Sequence, residues 1–538
     1  MNIKMPLNKR ALLDVNPDTF PAEECDVLVV GSGGAGMMAA LHAARKGKVI
    51  LATKKGLENS NTSKAQGGIA AAISPEDTVD SHIEDTLKSG KGLCDPEVVE
   101  QVIGGGAEAV EELIKCGAAF DGRRGKLIFT KEGGHSRARI IRANGDATGA
   151  EISRALIKAV KRAKGLNVCE NCFLIDLLKA GERVVGALMY RTDEQQIIRV
   201  LSKAVILASG GMGKVYRETT NPRTATGDGL AAALRAGVAL QDMEFLQFHP
   251  TTLYIAGSAR LLISETLRGE GGILVDRNGA RFMGEYSDQM ELASRDIVAK
   301  AIHQHIKKYG GTNVFLDMTH LDGSFLKKRF PWIYSECLNF KIDITKRSIP
   351  VHPAMHYTIG GIKAAVDGQT TLKGLFICGE AASTRFHGAN RLGSNSLLET
   401  AVCGKMAGEA AAAYARCKKF YRRAVDIRKD DVMQHQGPID IADSIISMQS
   451  EMWRHVGIER SFEGLNSVWG NINFWSGYIL GRTFDGPQGW ELQNMLQVSQ
   501  AIIKSAITRT ESRGAHFRED YPDMDDERWN THIVLEGE

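Results

Sequence analysis

The sequence predicts an α/β protein. One glycine-punctuated sheet is assembled from two separated stretches, 25–246 and 351–413, with an α+β cap inserted at 247–350 and a helical region and tail over 414–538. Three observations predict this. Apolar runs at 27–30, 204–208 and 375–378 each lead into glycine, at Gly31, Gly210 and Gly379, as parallel strands do when their carboxyl ends converge on one extended ligand. Between the second and third runs, polar clusters (Arg268-Gly-Glu270, Ser294-Arg295-Asp296) precede helical patterns over a length that suits a separate unit. From about Tyr414 the glycine-ended strands stop, and helical patterns run past Ala506.

Residues 1–24 lack periodicity and include Pro6, Pro17 and Pro21, so they read as an arm lying on the surface or disordered. From Cys25 to Thr53 the order is apolar run, Gly31-Ser32-Gly33-Gly34-Ala35-Gly36, Ala-rich segment and second apolar run. That is strand, tight turn, helix, strand. Gly31 then makes the turn, Gly33 admits a pyrophosphate against bare backbone, and Gly36 packs helix on strand, with the phosphates at the positive helix N-terminus. The acidic residue expected about twenty positions on, to hold a ribose hydroxyl, is replaced by Thr53-Lys54-Lys55. A dinucleotide is expected, and nothing in the spacing makes it NAD.

The loop Glu58-Asn-Ser-Asn61-Thr-Ser-Lys-Ala-Gln-Gly-Gly68 is too rich in small hydrogen-bonding groups for a mere connector and is expected to wrap a ligand. Apolar residues at helical spacing between Asp95 and Phe120, broken by Gly104-Gly-Gly106, predict helices packed on a sheet. Lys131-Glu132-Gly-Gly-His135-Ser136 gathers charge and glycine in one loop ahead of a helix over 150–163. Segments 167–178 and 183–190 read as two strands of a hairpin joined at Ala180-Gly181. The tail 511–538 is densely charged and holds Trp529, as a segment laid over the rest of the protein would.

At 538 residues, 43% hydrophobic and 24% charged, the chain is globular and has about three units. A net charge of +3 with no long Lys/Arg run gives no support to nucleic-acid binding. No apolar stretch reaches the ~18 residues of a membrane span, and residues 1–24 have no apolar signal core, so a cytoplasmic location is expected. Nine cysteines scattered from Cys25 to Cys417 read as reduced thiols. Cys169 and Cys172 form one C-x-x-C in a predicted strand; with no second pair to complete a zinc site, a structural pair is favoured. His303 and His305, two apart on a predicted helix, face different sides. No metal site is expected.

Further strings occur in a telling order: Gly31 to Gly36, Ala65-Gln66-Gly67-Gly68, Thr226-Gly-Asp228-Gly, Gln247-Phe-His249-Pro, Arg268-Gly-Glu-Gly-Gly272, Ser294-Arg295-Asp296 and His387-Gly-Ala-Asn-Arg391-Leu-Gly-Ser-Asn-Ser396. With them the chain resembles, over nearly its whole length, the flavoprotein family of succinate dehydrogenase, fumarate reductase and L-aspartate oxidase. Lys131-Glu132-Gly-Gly-His135-Ser136, Gly92-Leu-Cys-Asp95 and Asn144-Gly-Asp146-Ala-Thr-Gly149 look like the aspartate oxidase pattern. The tail Glu511-Ser-Arg-Gly-Ala-His516 reads closer to the dehydrogenase and fumarate reductase members.

The resemblance implies a Rossmann-like FAD-binding domain. It places the diphosphate on Ser32, Gly33, Gly34 and Ala35, and Lys54, Asn61, Thr62, Ser63, Lys64, Ala65, Gln66, Gly67, Gly68, Asp228, Glu380, Ser396 and Leu397 around the rest of the cofactor. Covalent members carry a His in the loop before Ala-Gln-Gly-Gly; Asn61-Thr62-Ser63-Lys64 has none, so FAD is expected to be non-covalent. The implied substrate residues are Glu132, His249, Ser264, Arg268, Arg295, His356 and Arg391, with Ser264 where Thr is usual. The implied reaction oxidises L-aspartate to iminoaspartate, the flavin being returned by oxygen or fumarate. This is a first step toward quinolinate and NAD, with a quinolinate synthase as downstream consumer. A soluble fumarate reductase or succinate dehydrogenase flavoprotein, and a non-catalytic FAD-binding scaffold, are the other readings.

The chemistry suits those residue types. A dicarboxylate in a partly dry site needs fixed cations or charge-assisted donors at both ends, which His249, His356 and Arg391 can supply. Arg holds a planar carboxylate in one orientation through two bonds at once. The resemblance gives the proton-handling role to Arg295, although a guanidinium, with a pKa above about 12, hardly deprotonates. Arg295 and His249 belong to the insertion or its edge, and His356 and Arg391 to the nucleotide domain, so closure of the cap is expected to complete the site.

Overall fold

The computed structural model describes residues 1–7, 9, 11–422 and 437–538. Its central sheet forms where the glycine-ended runs predict it. Ala22–Val30 lies parallel to Val49–Ala52 on one side and to Gln196–Leu207 on the other, and Leu375–Ile377 extends the parallel set beside Val205–Leu207. The helix Gly34–Ala44 starts at Gly33. Gly31 has φ +111, and a Cβ on Gly36 would lie 1.8 Å from the Gly31 carbonyl oxygen, so neither position accepts a side chain. The long helix Asn395–Arg416 crosses this one closely, because added Cβ atoms on Gly404 and Gly408 would meet the Ala35 and Ala39 carbonyls at 2.7 and 2.4 Å.

The segment expected as one strand over 167–178 is two strands. Leu166–Cys169 joins the parallel sheet beside Val49–Ala52, whereas Cys172–Ala180 pairs antiparallel with Arg183–Arg191, which continues into Gln196–Leu207. The break falls at Glu170-Asn171, where Asn171 takes the left-handed conformation (φ +54) that Asn tolerates better than other side chains. The Cys pair therefore flanks a turn, Cys169 ending one strand and Cys172 opening the next.

Residues 246–358 build an antiparallel sheet in the order Leu246–Leu253, Ile349–Thr358, Val314–Asp317, Ile273–Val275. The helices Arg295–Tyr309, Gly323–Arg329 and Pro331–Asn339 accompany it. Its core, including Leu253, Phe282, Val298, Ile302, Phe330 and Ile333, is separate from those of the central sheet. His249 lies opposite Ala354 in the first pair of strands, two residues from His356. The two histidines thus share one sheet, contrary to the expectation that they belong to different units.

The N-terminal arm is also more ordered than expected. Asn2–Met5 pairs parallel with Val534–Gly537, and Leu12 and Leu13 are buried beside Trp490. Burying each leucine contributes about 1.5–3 kcal/mol, enough to fix a segment that lacks periodicity. The helices Ile441–His455, Phe462–Ile479 and Pro487–Thr508 follow the nucleotide unit. Beyond them the charged tail is built in: Arg509 bonds Glu244 at 2.7 Å and Glu511 at 2.9 Å, Arg513 bonds Glu511 at 2.7 Å, and Trp529 is 1% exposed. Its buried charges Arg509, Glu511 and Arg513 are paired, as buried ions must be. Among the described residues no helix is long and apolar enough to cross a membrane.

Candidate active site

A cavity of about 550 Å³ runs from the N-terminus of Gly34–Ala44 to His356 and Tyr357. Its walls include Gly31, Ser32, Gly33, Gly34, Ala35, Lys54, Asn61 through Gln66, Asp228, Glu380, Ser396 and Leu397. Thr62 Oγ1 accepts the Gly34 N–H at 3.0 Å, tying the wrapping loop to the helix start. Two polar atoms in the lining residues, Gln66 Oε1 and Ser209 Oγ, are buried with no protein partner. Burial without a partner is costly, so these atoms fit a polar ligand, and the bare glycine backbone beside a helix N-terminus fits a diphosphate. Glu380 accepts the Thr358 N–H at 3.0 Å and an Asn61 Nδ2–H at 2.9 Å, and burial pushes its carboxyl upward.

Lys54 occupies the ground where the ribose acid is missing. Its ammonium donates to Asp228 at 2.8 Å, to Thr226 Oγ1 at 2.7 Å, and pairs with Glu491 at 2.5 Å. Asp228 in turn accepts from Asn494 Nδ2 at 2.8 Å. Burial acts against the charged Lys54, but the two carboxylates outweigh it and its pKa is raised.

At the other end, charges converge on Gln247. Its Oε1 accepts from Arg391 Nη2 at 2.8 Å, Arg391 Nε at 3.2 Å and Arg295 Nη1 at 3.1 Å. Its Nε2 is fixed by donating to the Arg391 carbonyl at 2.8 Å and to Asn390 Oδ1 at 3.1 Å. A neutral amide oxygen thus holds two guanidiniums in one place. Arg391 lies over the Tyr357 ring at 4.2 Å and donates to Ser396 Oγ at 2.7 Å; burial first, then Arg295, lowers it to about 10. Arg295 Nε donates to Glu265 Oε2 at 2.6 Å, and Arg268 lies 3.4 Å from Glu265 Oε1. Burial raises Glu265, but Arg295 and Arg268 outweigh that and its pKa is lowered, so it remains a carboxylate.

His249 and His356 stand edge to face, ring centroids 5.2 Å apart. Burial first, and then neighbouring guanidiniums, holds both well below the usual imidazole range, so at neutral pH both are uncharged donor–acceptor groups. Glu132 is 3% exposed, accepting from Arg142 Nη2 at 2.8 Å and from Ser394 Oγ at 2.7 Å. A Cβ added to Gly393 would lie 3.1 Å from Glu132 Oε2, 3.4 Å from Arg295 Nη2 and 3.5 Å from Glu265 Oε2, so these three groups surround one bare backbone position.

Comparison with known proteins places this geometry. An FAD binding domain model matches residues 26–397, and a fumarate reductase flavoprotein C-terminal model matches residues 486–538. L-aspartate oxidase of Streptomyces coelicolor is 42% identical over 95% of this chain and 91% of its own. The chain belongs to the L-aspartate oxidase family. The family's Yersinia pestis enzyme is 38% identical, over 93% of this chain and 96% of its own. A solved E. coli quinol fumarate reductase superposes with a TM-score of 0.90 at 32% identity, covering 96% of this chain and 94% of that one.

In this family member the sequence-derived residues divide in two. Arg295, Arg391, His249, His356, Arg268 and Glu132 come together as described. Ser264 is engaged otherwise: it caps the short helix Glu265–Gly269, its hydroxyl bonding Thr266 Oγ1 at 3.0 Å and accepting the Thr266 N–H at 3.3 Å. Gly36, Gly67 and Gly68 are not in the cavity wall. Gly36 packs on Gly31, Gly67 lies against Ser394 and Glu132, and a Cβ on Gly68 would strike the Ile141 carbonyl at 2.4 Å. Sequence reasoning missed Gln247, Glu265, Arg142 and Glu491. The first stands in the quoted Gln247-Phe-His249-Pro string and the second beside Ser264, but their partners are far away in sequence.

Proposed function

We propose that the protein binds FAD in the 550 Å³ cavity and oxidises L-aspartate to iminoaspartate at the Gln247 cluster. Ser32 through Ala35 and Thr62 hold the diphosphate, and Lys54, Asp228 and Glu380 act around the remainder. Flavin, when bound, takes the hydride from the substrate α-carbon. The chain's task is to bind, orient and manage protons. Four guanidiniums, Arg295, Arg391, Arg268 and Arg142, stand against two carboxylates, Glu265 and Glu132, and leave a positive surplus for two substrate carboxylates. Arg391 fixes the plane of one carboxylate, while the neutral rings of His249 and His356 donate without adding charge. Arg295, with Glu265 behind it and Gln247 beside it, is the positioned cation at the reacting carbon; when fumarate is the acceptor it supplies the proton there.

One observation carries the choice of an amino acid: a buried carboxylate, Glu132, reaches the same point as Arg295, and an ammonium needs such a partner where fumarate and succinate do not. The fumarate reductase-like C-terminal match favours the second reading, a succinate dehydrogenase or fumarate reductase flavoprotein. Anaerobic bleaching of the bound flavin separates them. Aspartate should bleach it; bleaching by succinate alone sinks the oxidase reading, and bleaching by neither leaves a non-catalytic scaffold. In this reading the flavin is returned by oxygen or fumarate, and a quinolinate synthase consumes the product in the cytoplasm on the way to NAD. Residues 247–350 act as a cap whose closure completes the site, so a dicarboxylate ligand should slow proteolysis.

A further inference from the structure

The turn Cys169-Glu170-Asn171-Cys172 is bonded on three sides to the segment that follows the second parallel strand. The Thr53 N–H donates to the Cys169 carbonyl at 2.9 Å, the Cys172 N–H donates to the Thr53 carbonyl at 2.9 Å, and the Leu57 N–H donates to Glu170 Oε1 at 2.7 Å. Thr53, Lys54 and Lys55 line the dinucleotide cavity, and Thr53 Oγ1 is 2.8 Å from Ser32 Oγ at its phosphate end. Outside, Asn171 is anchored by its carbonyl to the Thr192 N–H at 2.8 Å and by Nδ2 to Asp193 at 2.9 Å. The turn cannot change shape without displacing either the cavity wall or these bonds.

The two thiols are unlike each other and unlike the rest. Cys172 is buried at 2% exposure, whereas Cys169 is half-buried and opens onto a surface cavity of about 760 Å³ shared with Glu23, Lys161, Asn167 and Arg191. Cys169 shares this cavity with Arg191, whose guanidinium donates to Glu23 and Glu194. The neighbouring Cys172 thiol first, and then the Arg191 charge, bring Cys169 down to about 7 against burial and the opposing Glu23, while Cys172 is pushed up. Elsewhere burial pushes Cys25, Cys94, Cys337 and Cys378 up to about 12. A half-buried thiol sharing a surface cavity with a guanidinium, with a second thiol across a turn whose two ends both bond Thr53, is the arrangement of an oxidation-sensitive pair.

We propose that Cys169 and Cys172 are a peroxide-reactive dithiol whose closure to a disulfide loosens the protein's hold on FAD. The Cys169 thiolate attacks one oxygen of hydrogen peroxide. The O–O bond breaks, and the departing hydroxide takes up a proton as water, leaving a sulfenic acid. The Cys172 sulfur then attacks the Cys169 sulfur; the S–O bond breaks, and the hydroxide leaves with the Cys172 proton as a second water. Two electrons pass from the sulfur pair to the peroxide. Closure fixes the two sulfurs about 2 Å apart across the turn. The turn carries that displacement into Thr53 and Leu57, the ends of the segment that holds Lys54 and Lys55, through its three bonds.

The test uses the flavin-loaded full chain and does not depend on which substrate it oxidises. Treated with one equivalent of hydrogen peroxide, the wild type should lose two hydrogens from the peptide containing Cys169 and Cys172 before the exposed Cys417 reacts. The Cys172→Ser variant should accumulate a dimedone-reactive sulfenic acid at Cys169. Flavin affinity, read by fluorescence on dilution, should weaken by about five- to tenfold on oxidation, a modest coupling between sites, and return with dithiothreitol. Oxidation of Cys417 ahead of the pair overturns the proposal. So does a Cys169–Cys172 disulfide that leaves flavin affinity unchanged.

Discussion

Replacing Glu132 by Gln keeps the shape of the site and removes the charge proposed to tell aspartate from fumarate. The carboxylate is shared, with Arg142 at 2.8 Å on one oxygen and Ser394 at 2.7 Å on the other. At an effective dielectric of about 20, a substrate ammonium about 4 Å from the carboxylate gains about 4 kcal/mol, and Arg142 about 6 Å behind it takes back about 3 kcal/mol. The remainder, about 1–1.5 kcal/mol, is about tenfold in kcat/KM for aspartate. Without Arg142 in the sum, the same substitution would cost several orders of magnitude. Fumarate carries no ammonium and should lose nothing, since an uncompensated Arg142 favours a dianion. The assay is kcat/KM for both substrates with the same artificial electron carriers, at matched flavin content. Thermal melting should accompany it, because Arg142 without its partner destabilises the fold by up to about 3–5 kcal/mol without discriminating between substrates. Equal losses for the two substrates would show that Glu132 shapes the site and does not read the amine.

Arg295→Lys should lower kcat by at least about a hundredfold in both directions, because a single ammonium cannot bond Glu265 and Gln247 together as the fork does; a variant within tenfold of wild type removes Arg295 from the chemistry. Acid precipitation should leave the yellow colour in the supernatant, the loop Asn61-Thr62-Ser63-Lys64 having no His to hold flavin covalently; colour in the pellet contradicts this. Burial lowers His352 to about 4 and His82 to about 3 from the ordinary 6.5, so the unfolded chain takes up protons first as pH falls. Their stability contribution is complete above about pH 6.5 and lost below it, about 2 kcal/mol each by about pH 5; a melting temperature flat from neutrality down to pH 5 would contradict it.

The parts of the fold that were legible in the sequence are those where one residue type has no substitute. Gly31 and Gly36 admit no Cβ, so their spacing after an apolar run announced the strand, turn and helix. The N-terminal arm was misread because its order comes from partners over four hundred residues away, Trp490 and Val534–Gly537, which no local pattern reveals. The strand break at Asn171 left a fainter sign, the polar pair Glu170-Asn171 between the two halves of the segment. In the site, the ligand-facing strings were readable, but Gln247 and Glu265 act by holding guanidiniums from distant segments. Such roles are created by tertiary approach. The placement of His249 and His356 in one sheet has the same origin and removes them as a pair from any relative motion of cap and nucleotide unit.

Lys54 has a consequence beyond the cavity it lines. Through Glu491, and through Asp228 to Asn494, it fastens the helix Pro487–Thr508 to the cofactor's wall. Any ligand that binds this wall only in the folded state stabilises wall and helix together by mass action, about 4 kcal/mol when its free concentration is a thousand times its dissociation constant. The supply of riboflavin to a cell thereby becomes a determinant of how much of this protein survives. When flavin is scarce, the C-terminal helices should be among the first segments opened to proteases, before any effect on turnover per loaded molecule is felt.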